Sequence, residues 1–196
     1  MTIVLDILEK AMSEHQIVME LVKTKLRSDI ELVAQRCKKA VTNKQTIFFM
    51  GNGGSAADSQ HLAAELVGRF VKERKGLPAL ALTTDTSILT AVGNDYGYDE
   101  VFSRQVEALV RPNDIVIGIT TSGNSSNILH AMVKARELGA ITVGLTGKDG
   151  GMLKEISDHC IVIPSNTTAR IQEAHILIGH IICEIIDEGN DYEPKS

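Results

Sequence analysis

An α/β fold with a parallel sheet covered by helices on both faces is the fold class that this sequence predicts. Apolar, strand-like runs recur along the chain, at 46–50, 79–83, 114–119, 140–145 and 160–163. Helical patterns separate or follow them, at 56–70, 99–110, 126–138, 152–156 and 168–186. Such alternation is typical of a doubly wound parallel sheet. With 196 residues, 43% of them hydrophobic and 23% charged, the chain has the size and composition of one globular domain.

The first 43 residues predict a helical arm in front of this α/β core. Apolar residues keep a three-four spacing with His15 in the one skipped place, at Leu5, Leu8, Met12, Met19, Val22 and Leu26. The sequence Ser28-Asp-Ile-Glu31 has the form of a capping box, which predicts a second helix from there to Ala40. We expect the arm (1–43) to pack on the core (44–188) or on another subunit, and the polar tail (189–196) to fray.

Charge and cysteine content narrow the classes of partner. The net charge of −5 and the pI of about 5.7 argue against binding to nucleic acid or to anionic membranes. No apolar run approaches the roughly 18 residues of a membrane span. Cys37, Cys160 and Cys183 lack metal-type spacing, so we expect reduced thiols, most simply core residues, in a cytoplasmic protein.

A glycine-rich turn follows the first predicted strand, at Gly51-Asn-Gly-Gly54, and a helix follows the turn. A strand, a turn and a helix in this order form a unit that can hold a phosphate group at the helix N-terminus. The turn formally matches the dinucleotide fingerprint, with Ala56 in its third place. However, no acidic residue ends the next strand about 20 residues on, where the ribose would be bound. The sequence therefore disfavours a nicotinamide cofactor.

A second loop of the same kind, Thr120-Thr-Ser-Gly-Asn-Ser125, follows a later strand and precedes a helix. Its hydroxyls and backbone N–H groups suit a phosphate monoester, although a simple helix N-cap is the alternative interpretation. Both loops fall at the carboxyl edge of the predicted sheet, where ligands of open α/β sheets bind. Two such loops together favour phosphate binding. A third, at 146–151, is more simply a flexible turn.

His61 and Glu65 lie four residues apart on the helix after the first loop, and so share one face. They suit a metal site or an acid/base pair, and a surface polar pair is the alternative. The last predicted helix carries Gln172, Glu173, His175 and His180 among apolar residues, and these need partners where they are buried. Periodicity allows Gln172 to pair with either histidine.

Five motifs in order along the chain resemble one family. They are GNGGSAADSQHLAAELVGRF, GNDYG, TTSGNS, LTGKDGG and ARIQEAH-x4-H, between residues 46 and 186. Together they resemble the sugar isomerase (SIS) domain family, in particular its branch acting on seven-carbon sugar phosphates. The resemblance implies a three-layer, flavodoxin-like α/β/α sandwich. It further implies a homotetramer with active sites between subunits and one zinc ion (Zn2+) per subunit.

The activity implied by the resemblance is aldose–ketose isomerisation of sedoheptulose 7-phosphate to D-glycero-D-manno-heptose 7-phosphate for bacterial surface polysaccharides. The metal ligands carried over by motif are His61, Glu65, Gln172 and His180. The implied acid/base pair is Glu65 and His180. Glu65 also belongs to the implied substrate contacts, with Asn52, Gly53, Gly54, Ser55, Asn94, Asp95, Thr120, Thr121, Ser122, Ser125 and Gln172. The family commonly has serine in place of Thr120, whose hydroxyl is retained here.

The implied reaction passes through a cis-enediol, since a proton must leave one carbon and reach its neighbour. A carboxylate and an imidazole can perform this transfer, and a metal near O1 and O2 would stabilise the negative charge. Since a ligated side chain is not a free base, zinc is either partly displaced or organises the site while chemistry proceeds around it. Two alternatives stay open: a non-catalytic SIS regulator or replication-initiation partner, and an isomerase of another phosphosugar.

Overall fold

A single parallel sheet runs through the middle of the protein in the computed structural model, which describes residues 2–188. Its five strands occur in the order β2-β1-β3-β4-β5, and every pairing within the sheet is parallel. The strands are β1 (Ile47–Gly51), β2 (Ala79–Ala81), β3 (Ile115–Ile119), β4 (Ile141–Gly147) and β5 (His159–Ile163). The expected frayed tail, 189–196, lies outside the described residues.

Helices cover both faces of this sheet. They are α1 (Ile3–Lys25), α2 (Arg27–Thr42), α3 (Gly54–Val67), α4 (Thr86–Asp95), α5 (Ser103–Leu109), α6 (Ser126–Glu137), α7 (Gly151–Ile156) and α8 (Thr168–Asp187). One apolar cluster packs α1, α2, α3 and α8 against one face, and a second packs α5, α6 and α7 against the other. The predicted three-layer α/β/α class is therefore confirmed.

The N-terminal arm packs along α8 through the second half of α1. Val18 and Val22 are buried there, and His15 Nδ1 lies 2.8 Å from a carboxylate oxygen of Glu173. In the first half of α1 the apolar side chains stay exposed, at Ile3, Val4, Leu5, Ile7, Leu8 and Met12. The arm thus has one apolar stretch packed on α8 and one that this chain alone leaves in solvent.

The predicted capping box at Ser28 is wrong. The second helix begins at Arg27, and no side chain caps it. The helical hydrogen bonds run almost without a break past Leu26, whose N–H donates to Val22 and whose carbonyl accepts from Ile30. Ser28 therefore lies in the first turn of α2, where its hydroxyl is not needed as a cap.

Two further differences concern the segment before β3. Helix α4 was not predicted, and it begins where the Asp85 side chain accepts a hydrogen bond of 2.9 Å from the N–H of Ile88. The helix predicted over 99–110 is split into a 3-10 turn at Tyr98–Glu100 and the short α5. With ten residues, none of them fully buried, α4 carries only a short apolar stripe, Leu89 and Val92, packed partly against the second cluster, and this stripe is too short for a periodicity argument.

The direction in which successive strands are added to the sheet reverses beside β1. The chain passes from β1 outward to β2, and then crosses back to place β3 on the other side of β1. The loops after β1 and β3 consequently leave the same edge of the sheet as neighbours, at the topological switch point where open α/β sheets bind ligands. Among residues 2–188, none of the helices is long and apolar enough to cross a membrane.

Candidate active site

The two loops predicted to hold phosphate are joined by side-chain amides. Asn52, after β1, and Asn127, at the start of α6, exchange two hydrogen bonds of 2.9 Å, each amide nitrogen donating to the other's oxygen. The Tyr98 hydroxyl donates a third, 3.2 Å long, to Asn52 Oδ1. Asn127 and Tyr98 were not predicted, since nothing in their local sequence indicates pairing with a residue 75 or 46 positions away.

The loop after β1 turns sharply because of its glycines. Gly53 has a φ of 55°, in the region that favours glycine. At Gly54 a Cβ atom would lie 2.4 Å from Nε2 of Gln172, so the side chain of Gln172 reaches the first turn of α3 only because this position has no side chain. The structure therefore brings Gln172 of α8 beside the predicted phosphate loop, with Ser55 buried next to it.

Hydroxyl groups in the loop after β3 face one another. Thr120 Oγ1 lies 2.9 Å from Ser125 Oγ and 3.4 Å from Ser122 Oγ, and Thr120 is buried. The backbone of this loop contacts the start of α7, because the N–H of Leu153 donates to the Gly123 carbonyl over 2.9 Å. A Cβ atom at Gly123, where φ is 70°, would lie only 2.0 Å from the Gly150 carbonyl oxygen. The turn expected to be simply flexible thus supports the loop carrying Thr121 and Ser122.

Asn94 and Asp95 lie at the exposed C-terminal end of α4. The Asn94 amide donates to Asp95 Oδ1 over 2.8 Å. This segment reaches the loop after β1 through Tyr98, which follows it by a few residues. In this chain, Asn94 and Asp95 are therefore less closely tied to the two loops than Asn127 and Tyr98 are.

Helices α3 and α8 bring His61, Glu65 and His180 together. Nε2 of His61 lies 2.9 Å from Nε2 of His180 and 3.2 Å from Oε1 of Glu65. One potential ligand atom from each residue lies within 4.8 Å of the other two. The close approach of the two helices depends partly on Gly179, where a Cβ atom would lie 2.5 Å from the buried Leu62 side chain.

This cluster has the geometry of a metal site. At 2.9 Å the two ring nitrogens can share one N–H···N hydrogen bond, and if both rings carry their proton on Nδ1, both Nε2 lone pairs are available to a cation. Tetrahedral zinc with bonds of about 2.0–2.1 Å would separate two ligand atoms by about 3.3 Å, close to the distances from His61 to its neighbours. Two histidines and a carboxylate are a donor set that zinc accepts, so these residues fit the expected ion.

The structure gives His175 and His180 different surroundings, which the periodicity of α8 alone could not distinguish. His175 is fully buried, and its Nε2 lies 3.1 Å from the carbonyl oxygen of Thr146 on β4. Burial lowers the pKa of His175 to about 4, so this residue stays neutral in the core. His180, one and a half turns further on, lies beside His61 and its ring stacks on Phe70.

Asp58 is a further acidic residue near this cluster that sequence reasoning did not select. Burial raises the pKa of its carboxyl group, and the nearby His61 and His180 partly oppose the rise. Its position one turn before His61 on α3 was a signal that could have identified it. The cysteines, in contrast, take no part: burial raises the thiol pKa of Cys37 and of Cys183 to about 12, so both remain protonated.

Comparison with known proteins settles the family. The sequence profile of the SIS domain family matches residues 12–147. Phosphoheptose isomerase of Nitratiruptor sp. is 55% identical over 184 residues, which cover 94% of this chain and 98% of that protein. The chain belongs to the phosphoheptose isomerases of the SIS domain family. Phosphoheptose isomerase of Campylobacter jejuni is 54% identical, with coverage of 94% and 99%.

Solved structures agree with this family membership. A phosphoheptose isomerase from Francisella tularensis superposes with a TM-score of 0.92 at 38% identity, covering 96% of this chain and all of that one. The phosphoheptose isomerase from Neisseria gonorrhoeae gives a TM-score of 0.90 at 41% identity, covering 94% and 99%. The SIS-domain resemblance expected from the motifs is thereby confirmed over nearly the whole chain.

Proposed function

We propose that this protein is an aldose–ketose isomerase that converts sedoheptulose 7-phosphate into D-glycero-D-manno-heptose 7-phosphate for bacterial surface polysaccharides. The observation that carries the proposal is that α3, which begins at the glycine-rich loop at the switch point of the sheet, also carries His61 and Glu65, with His180 of α8 against them. High identity to phosphoheptose isomerases over most of the chain supports the substrate.

In the proposed complex, the phosphate group binds the loops after β1 and β3. The N-terminus of α3 and the hydroxyls of Ser55, Thr120, Ser122 and Ser125 supply hydrogen-bond donors without a fixed positive charge. Glu65 and His180, whose ligand atoms lie within 4.8 Å of each other, then exchange protons with C1 and C2 of the sugar. Asn52, Gly53, Gly54, Asn94, Asp95, Thr121 and Gln172 complete the proposed substrate contacts.

We assign one zinc ion to His61, Glu65, Gln172 and His180. Zinc would supply Lewis-acid stabilisation of the enediolate charge. Gln172 enters this set through the family resemblance, and its amide lies against Gly54, about two helical turns before His61 on α3. The carboxylate of Glu65 is only 20% exposed and the ring of His61 51%, so the cluster is shielded on the side of Glu65 and open on the side of His61.

We propose a homotetramer from the family resemblance, and the exposed apolar residues in the first half of α1 support association of copies, because monomers rarely leave such a stretch in solvent. A solution mass close to that of one 21.2 kDa chain would contradict this assembly. The free cysteines Cys37, Cys160 and Cys183 support a cytoplasmic location, where thiols stay reduced.

The experiment that tests the function is an isomerase assay on sedoheptulose 7-phosphate, with and without a chelator. We expect turnover by the purified protein, loss of most activity after exhaustive chelation, and its return on adding zinc. Hexose and pentose phosphates serve as competing substrates. An inactive, folded protein would instead favour a non-catalytic SIS regulator, and faster turnover of a shorter phosphosugar would change the substrate.

Substitution of Gly54 by alanine should impair catalysis with little loss of stability. The new Cβ would lie 2.4 Å from Gln172 Nε2 and push that amide out of the site. Since a displacement of about 1 Å can cost about 100-fold in rate, we expect kcat/KM to fall by roughly 10- to 100-fold. The melting temperature should change little, because Gln172 is only partly buried and its amide can move.

The Gln172→Ala background provides the control for this substitution. If Gly54→Ala acts by displacing Gln172, its effect on kcat/KM should largely disappear once that side chain is absent. An equal loss in both backgrounds would show that the alanine disturbs the phosphate loop itself rather than Gln172.

A further inference from the structure

A buried ion pair joins the C-terminal ends of the two helices that carry the candidate metal ligands. Arg74 Nε donates to Asp187 Oδ1 over 2.6 Å, and both side chains are 1% exposed. Asp187 is the last residue of α8. The other guanidinium N–H groups of Arg74 cap the end of α3, donating to the carbonyls of Glu65 (2.8 Å), Leu66 (2.9 Å) and Gly68 (3.0 Å).

The same carboxylate fixes the chain between α3 and Arg74. Asp187 Oδ2 accepts hydrogen bonds from the backbone N–H groups of Val71 (2.9 Å) and Lys72 (3.2 Å). The residue just before them, Phe70, is therefore held on one side by the capped end of α3 and on the other by Asp187. Its backbone position depends on this ion pair.

Phe70 places its ring directly on His180. The two ring centroids are 5.3 Å apart and the planes differ by 13°, which is a stacked arrangement. His61 contacts the same imidazole edge-on, with centroids 5.0 Å apart and planes at 67°. Phe70 also packs against the apolar cluster beneath α3 and α8. The ring of His180 is thus confined by an aromatic face in addition to its polar neighbours.

We propose that Phe70 is a positioning residue for His180, and that the Arg74–Asp187 ion pair keeps Phe70 in place. This inference rests on the proposed function, in which His180 is a metal ligand and a proton-transfer group. A phenyl ring has no ionisable proton and no atom that ligates a metal, so Phe70 acts by restricting rotation of the imidazole. Groups that orient a ligand from outside the coordination shell typically contribute 10- to 100-fold to metal affinity or activity.

Variants at Phe70 test the proposal with cobalt(II) as the probe ion. Phe70→Leu removes the ring and keeps apolar bulk, whereas Phe70→Tyr keeps the ring. We expect Phe70→Leu to bind cobalt about tenfold more weakly, with an altered visible absorption spectrum, and to lower kcat by roughly 10- to 100-fold while KM stays within about twofold. Phe70→Tyr should restore both quantities to within about threefold of the wild type.

Val71→Ala is the matched control. Its side chain is 56% exposed, and the substitution keeps the backbone N–H that donates to Asp187. It should leave cobalt affinity and kcat unchanged. If Phe70→Leu melts more than about 10 °C below the wild type, Phe70→Met, which fills the space with an unbranched chain, replaces it with the same expected result.

Three results would overturn the inference. The first is wild-type cobalt affinity and spectrum in Phe70→Leu. The second is an equal loss in Phe70→Leu and Phe70→Tyr, which would show that the ring itself is not what matters. The third is cobalt binding that does not respond to His180→Gln, since His180 would then not be a ligand. A wild-type protein that binds cobalt but does not isomerise the sugar phosphate would reject the proposed function alone, and the cobalt measurements would still decide the role of Phe70.

Discussion

Replacement of Glu65 by glutamine should reduce kcat on sedoheptulose 7-phosphate by about 10²- to 10⁴-fold, the usual contribution of a general acid or base. The amide has the same shape as the carboxylate but cannot accept a proton. Glu65 lies 3.2 Å from His61 and is mostly shielded from solvent, so no other described group takes its exact place. His180→Gln should show a loss of the same order, measured by steady-state kinetics.

Both variants should remain folded, because neither side chain belongs to the apolar core. Circular dichroism and melting temperature check this point. Glu73→Gln is the matched control, since Glu73 is 75% exposed and forms only a surface pair with Arg69. Near-wild-type turnover in both Glu65→Gln and His180→Gln would show that the assigned acid/base roles are wrong.

Replacement of Asp187 by alanine should lower the free energy of unfolding by about 3–5 kcal/mol, the usual loss when one partner of a buried ion pair is removed. The Arg74 guanidinium would remain buried without its counter-charge, and the N–H groups of Val71 and Lys72 would lose their acceptor. Urea denaturation at one fixed protein concentration measures the change, because association would otherwise shift the apparent stability.

The adjacent residue supplies the control for this substitution. Glu188 pairs with Lys72 at the surface over 3.1 Å, where the side chains are 60% and 33% exposed. Glu188→Ala should therefore cost less than about 1 kcal/mol. A loss of similar size at both positions would mean that the buried ion pair contributes no more than an ordinary surface pair.

Hydrophobic patterning was enough to predict the sheet and most helices, because buried strands and one-sided helices leave their period in the sequence. It was not enough for α4, which buries no residue fully and whose start depends on one cap at Asp85. The capping-box motif was misleading at Ser28, because the second helix already begins at Arg27. Local patterns fail to predict a helix where few of its side chains are buried, and they mispredict its start where contacts outside the motif determine it.

In the candidate site, too, local sequence predicted some residues and could not predict others. Spacing put His61 and Glu65 on one face of α3, but it could not choose between His175 and His180. That choice depends on which side of α8 faces β4 and which faces α3. Asn127 and the Arg74–Asp187 pair were not predicted, because their partners lie 75 and 113 residues away in sequence.

The hydrogen bonds between Asn52 and Asn127, and between Thr120 and Ser125, have a consequence for the energetics of binding. They hold the loops after β1 and β3 in one arrangement through contacts within the chain itself. Much of the conformational entropy of these loops is therefore lost when the protein folds rather than when it binds. In the proposed complex, a phosphate group that replaces the Thr120–Ser125 hydrogen bond would meet loops already held in place, so more of its interaction energy would appear as affinity.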